Sequence, residues 1–347
     1  LDLVTRGAAG CALVFALLAC GEGDKPKADA AATAAASAAK PAAAAAPGAR
    51  PSATPTPQFA GRAYVRGELR DHLPKECPAG RAYVDVQKLL GGDGGTEGKL
   101  VEKLMLEDEG NREKAVKVLT VLTEGGLPPT RVREIAACVT VAGSPIVAFG
   151  VDTEGAKDPL GTLTAAIEAG EGTGRVTVLG EGDQKYLKNP RGEVVGFVSP
   201  TVIVLAKNLD RIKEAAKTPG GGSNFEDAAS HVLWLHMTSE QKARVAIRED
   251  GSDYRFTAKF VPDGGAAELA KNPQLMVAGF SQEAKTRAGK LAREPGLAAL
   301  AKAVQTATFA VEDGQITISA TMPQSAVVDA IKVFNDKGSE GLAKLLQ

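Results

Sequence analysis

Short runs of period-two hydrophobicity alternate along this chain with stretches of helical spacing. Arg81-Ala82-Tyr83-Val84-Asp85-Val86 reads as a strand, and Arg62 to Gly67 before it as a shorter one. A helix is expected through Leu100, Leu104 and Leu106. Another runs through Ala115, Val118, Leu119 and Leu122, and Gly125-Gly126 with Pro128-Pro129 stops it. From Arg133 onward one pattern recurs: strand, tight turn, strand, helix. The first copy turns at Gly143-Ser144-Pro145, returns through Ile146 to Val151 and carries a helix with Leu160, Leu163 and Ile167. The second turns at Ser199-Pro200, returns through Val202 to Leu205 and carries Ile212 and Ala216. In the third, Ala243, Val245 and Ile247 alternate with Arg244 and Arg248. The chain turns at Asp250-Gly251 and returns with Tyr254, Phe256, Ala258 and Phe260 alternating with Arg255, Thr257 and Lys259. The fourth turns at Asp313-Gly314, between Phe309-Val311 and Ile316-Ile318-Ala320, and its helix follows Pro323.

Alternation of this kind gives each hairpin one buried face and one wet face. Asp-Gly is a turn whose twist matches the flanking strands. A lone hairpin is not stable, so a helix has to cover the buried face of each. Thr218-Pro219-Gly220-Gly221-Gly222-Ser223 separates the copies into two pairs and reads as a boundary. The expected class is therefore α+β. Two similar domains, 59–219 and 223–347, are each expected to hold an antiparallel sheet with helices on one face.

Ahead of these elements the pattern changes twice. Ala12 to Ala19 is an apolar run of signal-peptide length, too short to span a bilayer comfortably. It ends in Leu17-Leu18-Ala19-Cys20, which resembles the lipobox of bacterial lipoproteins. The resemblance implies that residues 1–19 are a signal peptide and that Cys20 carries the lipid. It also implies a chain held in the cell envelope by an N-terminal lipid in the membrane. Gly21 follows the cysteine where an Asp would mark inner-membrane retention in the enteric rule, so the outer membrane is the expected address. Residues 20–58 then form the lipidated cysteine and an Ala/Pro-rich tether, because Gly21 to Pro57 offers too little apolar area to offset backbone entropy. As a coil of about 37 residues it would span roughly 35 Å. The body, from Arg62 to Gln347, resembles the internally duplicated α+β modules of uncharacterised envelope lipoproteins.

Composition narrows the function classes. Forty-one Lys and Arg against 42 Asp and Glu leave a formal net charge of −1, which argues against a nucleic-acid partner. Trp234 is the only tryptophan, which disfavours stacking platforms. The glycine-rich Gly91 to Gly95 lies between a strand and a helix, as a phosphate loop would. However, Leu100 follows Gly98-Lys99 where a hydroxyl is needed, and Asp93 would repel phosphate. Gly170, Gly172 and Gly174 precede a strand and read as turn glycines. The three histidines are His72, His231 and His236. Placed five apart on one strand, His231 and His236 would face opposite ways and share no metal. Neither Gly-x-Ser-x-Gly nor His-Glu-x-x-His occurs. No catalytic residue, metal ligand or cofactor is assigned.

Cys77 and Cys138 are the cysteines left once the leader and the lipid site are set aside. An oxidising envelope favours a disulfide between them. The alternative is a small buried hydrophobe at Cys138 and a loop thiol at Cys77. The expected role is a monomeric, non-catalytic binding, scaffold or structural module with a protein or cell-wall partner. The alternatives are an envelope hydrolase with a site between the two domains, or a carrier of an apolar ligand.

Overall fold

One strand decides the architecture. In a computed structural model, β1 (Gly80–Asp85) is hydrogen-bonded on both edges. On one side it pairs antiparallel with β2 (Val132–Val139), and on the other with β8 (Leu233–Met237). The structure describes residues 61–74, 76–89, 112–139, 145–171, 176–180, 185–190, 192–217, 225, 227–238, 243–261, 271–330, 333 and 337. Cys20, the tether, the Gly91 to Gly95 stretch, the Leu100 to Leu106 helix and the Thr218 to Ser223 boundary lie outside these residues.

The first two strand-turn-strand units form as expected. They are β2 with β3 (Pro145–Val151), and β6 (Val194–Ser199) with β7 (Val202–Ala206). The third is β9 (Arg244–Asp250) with β10 (Asp253–Phe260), and the fourth β11 (Thr308–Glu312) with β12 (Gln315–Pro323). Two short strands escaped the sequence reading, β4 (Thr177–Leu179) and β5 (Tyr186–Lys188). Three residues are too few to display a period. Arg62 to Gly67 is not a strand: it lies as coil and turn before α1 (Glu68–Asp71), and its polar groups bond across the sheet instead of along it.

The strands form one antiparallel sheet of 12, in the order β11-β12-β10-β9-β8-β1-β2-β3-β7-β6-β5-β4. Separate sheets were expected for 59–219 and 223–347. Instead the β1–β8 pairing joins the two halves edge to edge, with Tyr83 opposite Trp234 and Val84 opposite Leu233. A free strand edge is a row of unpaired donors and acceptors, and pairing the two satisfies both rows.

Three apolar cores sit against this sheet. On one face of the second half, Val84, Leu233, Ile247, Phe256 and Ile318 pack under α6 (Pro273–Leu291) and α7 (Ala298–Gln305). Residues 324–330 are helical, and Ala326, Val327 and Ala330 belong to the same core. The same face of the first half holds Val151, Phe197 and Phe149 against Leu122 of α3 (Arg112–Glu124) and Leu160 and Leu163 of α4 (Pro159–Glu171). The opposite face of the first half is covered as well. There Leu69, Leu73, Tyr83, Ile146, Val204 and Trp234 pack with Ile212 of α5 (Leu209–Lys217). Helices thus cover both faces of the first half, whereas one covered face was expected. Among the described residues no helix covers the second face of β9, β10 and β12.

α6 went unread because its face is unusual. Pro273 starts it at a position that needs no N–H, and its buried residues Ala284, Ala288 and Leu291 are spaced four and three apart. Small alanines give a weak apolar stripe, and Leu275 of the same helix is exposed.

Cys77 and Cys138 form a disulfide with Cα atoms 5.1 Å apart. Cys138 sits opposite Arg81 in the β1–β2 register, so the segment entering β1 passes directly over it. The bridge spans a sequence separation of 61, a closure worth about 4 kcal/mol in the chain-entropy model. Alkylation of denatured, unreduced protein is expected to leave both thiols unmodified, and reduction to expose both. Cys138→Ala should lower unfolding stability by about 2–4 kcal/mol in a urea titration. Two alkylated thiols before reduction would remove the bridge.

Candidate functional site

Two polar constellations stand out against the apolar cores. The first surrounds Glu134, which is 1% exposed on β2, directly opposite Asp85 of β1 at 2%. Two buried carboxylates side by side are costly unless cations and donors meet them. Here the Tyr64 hydroxyl donates to Glu134 Oε2 at 2.6 Å, the Gly67 N–H donates to the same oxygen at 2.8 Å, and the Tyr83 hydroxyl donates to Oε1 at 2.7 Å. Arg66 pairs with Asp85 and places Nε 3.4 Å from Glu134. Arg70 lies 3.9 Å from Glu134 and stands over the Tyr83 ring at 5.1 Å.

The segment from Gly61 is stitched down further on. Thr153 exchanges bonds with Arg62, and Glu68 accepts from Ser199 and Thr201 at 2.8 Å each. Gly150 is the partner of Glu134 on β3, and the Tyr64 ring crosses it. A Cβ at Gly150 would sit 2.3 Å from Tyr64 Cζ, so glycine is what lets the phenol reach the carboxylate. This constellation is a clasp that ties residues 61–73 to the sheet. A tyrosine acting as general base would need a depressed phenol, and here the shifts run the other way. Burial, then the charge of Glu134 and the hydrogen bond to it, raise Tyr83 to about 12 and push Tyr64 far above its ordinary value. The sequence signal was present. Glu134 shares parity with Ala136 and Cys138, so it occupies an inward position on a strand whose inward face is otherwise apolar.

The second constellation lies on the uncovered face of the second half. Ala246 of β9 provides the floor of a pocket of about 450 Å³, with Trp234 on β8 and Thr257 on β10 as its cross-strand neighbours. Arg244 and Arg248 flank Ala246 two residues away on either side, hence on the same face. Arg255 stands directly opposite Arg248. Three arginines therefore line the pocket with Glu249 and Asp250. Arg255 pairs with Asp250 at 2.7 Å, and Glu249 pairs with Lys88 of the short helix α2 (Val86–Leu89). Among the described residues Arg244 and Arg248 have no carboxylate partner. Arg248 Nε donates to Nε2 of His231 at 2.6 Å, and His231 is 2% exposed. That bond requires His231 Nε2 to carry a lone pair, which places the ring proton on Nδ1, 3.3 Å from Ser230 Oγ.

The histidines fall differently from expectation. β8 begins at Leu233, so strand parity does not reach back to His231. It shares the pocket with Trp234, whose ring also meets His236 edge-on at 5.8 Å. His72 lies elsewhere, capping the C-terminus of α1, and burial lowers its pKa. Among the described residues no group of three or more His, Cys, Asp or Glu is placed to hold a metal. No described helix is long and apolar enough to cross a membrane.

Comparison with known proteins adds little. No family model matches the chain, and no curated protein matches it. The solved structure titled "Structure of crystal form I of TP0453" aligns with 77% of this chain and 98% of that chain, at 9% identity and a TM-score of 0.40. A likeness of that degree carries no argument here.

All four tyrosines in the chain are held neutral beyond the ordinary range. Burial, then Glu249, raises Tyr254 to about 12, and burial raises Tyr186. An unfolded phenol ionises near pH 10. Between about pH 10 and 12 the unfolded chain therefore loses protons that the folded chain keeps. The stability these groups contribute is present in full below about pH 10 and lost as pH rises toward 12. A native ultraviolet titration should show no tyrosinate near pH 10, with all four phenols appearing together on unfolding. Glu134→Gln should cost about 3 kcal/mol, and Gly150→Ala should bring Tyr64 ionisation down toward pH 10. Tyr64 or Tyr83 titrating normally at pH 10 in the native protein would contradict the clasp.

Proposed function

We propose that this chain is a lipid-anchored envelope protein with a non-catalytic binding role, which presents the uncovered face of β9, β10 and β12 to an anionic envelope partner. One observation carries the reading. Among the described residues the first half of the sheet is covered on both faces and the second half on one, and the remaining face carries Arg244, Arg248, Arg255 and Lys259. Lys259 is balanced by Glu312 and Arg255 by Asp250, which leaves Arg244 and Arg248 as the surplus charge. A sheet face whose outward positions are mostly polar, with Ala246 the apolar exception on β9, is stable in water. Its surplus of guanidinium suits a partner of opposite charge. The charged pocket walls favour an ionic partner over an apolar ligand. The lipobox resemblance at Leu17-Leu18-Ala19-Cys20 supports the anchor, and the 20–58 tether supplies the reach.

Two measurements test the reading. Cys20→Ser should move the protein from the membrane fraction to the soluble fraction, or leave it unprocessed. A mutant that fractionates and migrates like wild type would end the lipid claim. A photo-crosslinking residue at Thr257 should give one discrete envelope adduct that disappears in the Arg244→Glu/Arg248→Glu protein, while the same probe at Glu113 on α3 gives none. Equal adducts at both sites, or none at Thr257, would remove the binding face.

A further inference from the structure

We propose that the pocket over Ala246 is an oxyanion site, built to take a phosphate or phosphoester group between Arg248 and Arg255. The inference rests on the reading of this face as a binding face and names the chemistry it would bind.

Four observations converge. Arg248 and Arg255 stand directly opposite on β9 and β10, an arrangement of like charges that costs stability when nothing lies between them. Asp250 offsets Arg255, and no described carboxylate offsets Arg248. Arg248 is not a loose surface chain: its Nε is committed to the buried His231 at 2.6 Å, which anchors the guanidinium and leaves its two terminal nitrogens as donors. The floor beneath is Ala246, which has no side chain long enough to fill the space between the two forks. A planar guanidinium fork matches phosphate geometry with two parallel hydrogen bonds, and a second fork facing it completes a clamp. An oxyanion between them turns the cross-strand repulsion into two attractions. Thr257, opposite Ala246, supplies a neutral hydroxyl, and Arg244 adds positive charge about 13 Å along the strand from Arg248. His231 is a positioning residue, acting through Arg248.

The test uses full-length Cys20→Ser protein, so that no lipid anchor complicates it. Inorganic phosphate, titrated against chloride at matched ionic strength, should raise the melting temperature and bind saturably by calorimetry. Arg248→Met and Arg255→Gln should each weaken binding roughly ten- to hundred-fold. Arg248→Lys should recover only part of it, because an ammonium keeps the charge and lacks the fork. Arg287→Gln, on α6 against the other face, should bind like wild type. Far-ultraviolet circular dichroism of each variant establishes that it is folded, and Arg255→Gln leaves the Arg248–His231 bond intact if Arg248→Met does not fold.

A second arm separates the sources of phosphate. Flotation with phosphatidylglycerol vesicles but not phosphatidylcholine vesicles, competed by inorganic phosphate, assigns a lipid headgroup. Phosphate binding without flotation assigns a soluble phosphate or phosphoester. Chloride stabilising as much as phosphate, or both arginine variants binding phosphate as wild type does, overturns the proposal. If crosslinking at Thr257 persists after either result, the docking face stands and the oxyanion chemistry falls.

Discussion

The pairing of β1 with strands on both its edges is the constraint on which the rest of the molecule depends. A strand bonded on two sides has no backbone group left for water, so both of its faces must be dealt with by side chains. β1 sends Tyr83 into the core of the first half and Val84 into that of the second. Trp234, opposite Tyr83 on β8, joins the first-half core from the far side of the seam. Asp85, at the end of the strand, accepts from the Lys88 N–H to start α2, and Tyr254 of β10 donates to the Lys88 carbonyl at 2.5 Å. The seam is thus fastened through backbone, apolar packing and a buried polar end together.

Coverage of the sheet explains the division of labour between the halves. Strands covered on both faces can read as continuous apolar runs, and β7, with Val202-Ile203-Val204-Leu205, does so. β10 and β12 alternate strictly, with Phe256, Ala258, Ile316 and Ile318 inward and Arg255, Thr257, Lys259 and Ser319 on the other side. Period-two alternation is the signature of a sheet with one face left wet. The face proposed to bind a partner was therefore visible as a pattern before its position was known.

The clasp at Glu134 and the pocket at Arg248 use related physics to different ends. Around Glu134 the buried charge is enclosed by three donors from two segments, residues 61–73 and β1, and the phenols are driven away from ionisation. Such a centre fixes geometry. At Arg248 the buried partner is a neutral imidazole, which orients the guanidinium without neutralising it. The charge stays available at the surface.

Much of this was legible in the residues themselves. Local patterns are written in neighbouring positions, so the hairpin turns at Asp250-Gly251 and Asp313-Gly314, the strand phases and the α+β class followed from the chain alone. The short strands β4 and β5 and the alanine-faced helix α6 did not, because their periodic signal is weak. Pairings between distant segments were beyond any local pattern. Nothing near Tyr83 says that Trp234 will lie beside it, and nothing near Tyr64 says that Glu134 will receive its hydroxyl across Gly150. The alternation placed His231 and His236 on opposite faces, and only the tertiary structure, by starting β8 at Leu233, set His231 against Arg248. Sequence determines which side chains point together along one strand. Which strands become neighbours is decided by satisfying edges and burying faces over the whole sheet, a global condition that no short window contains.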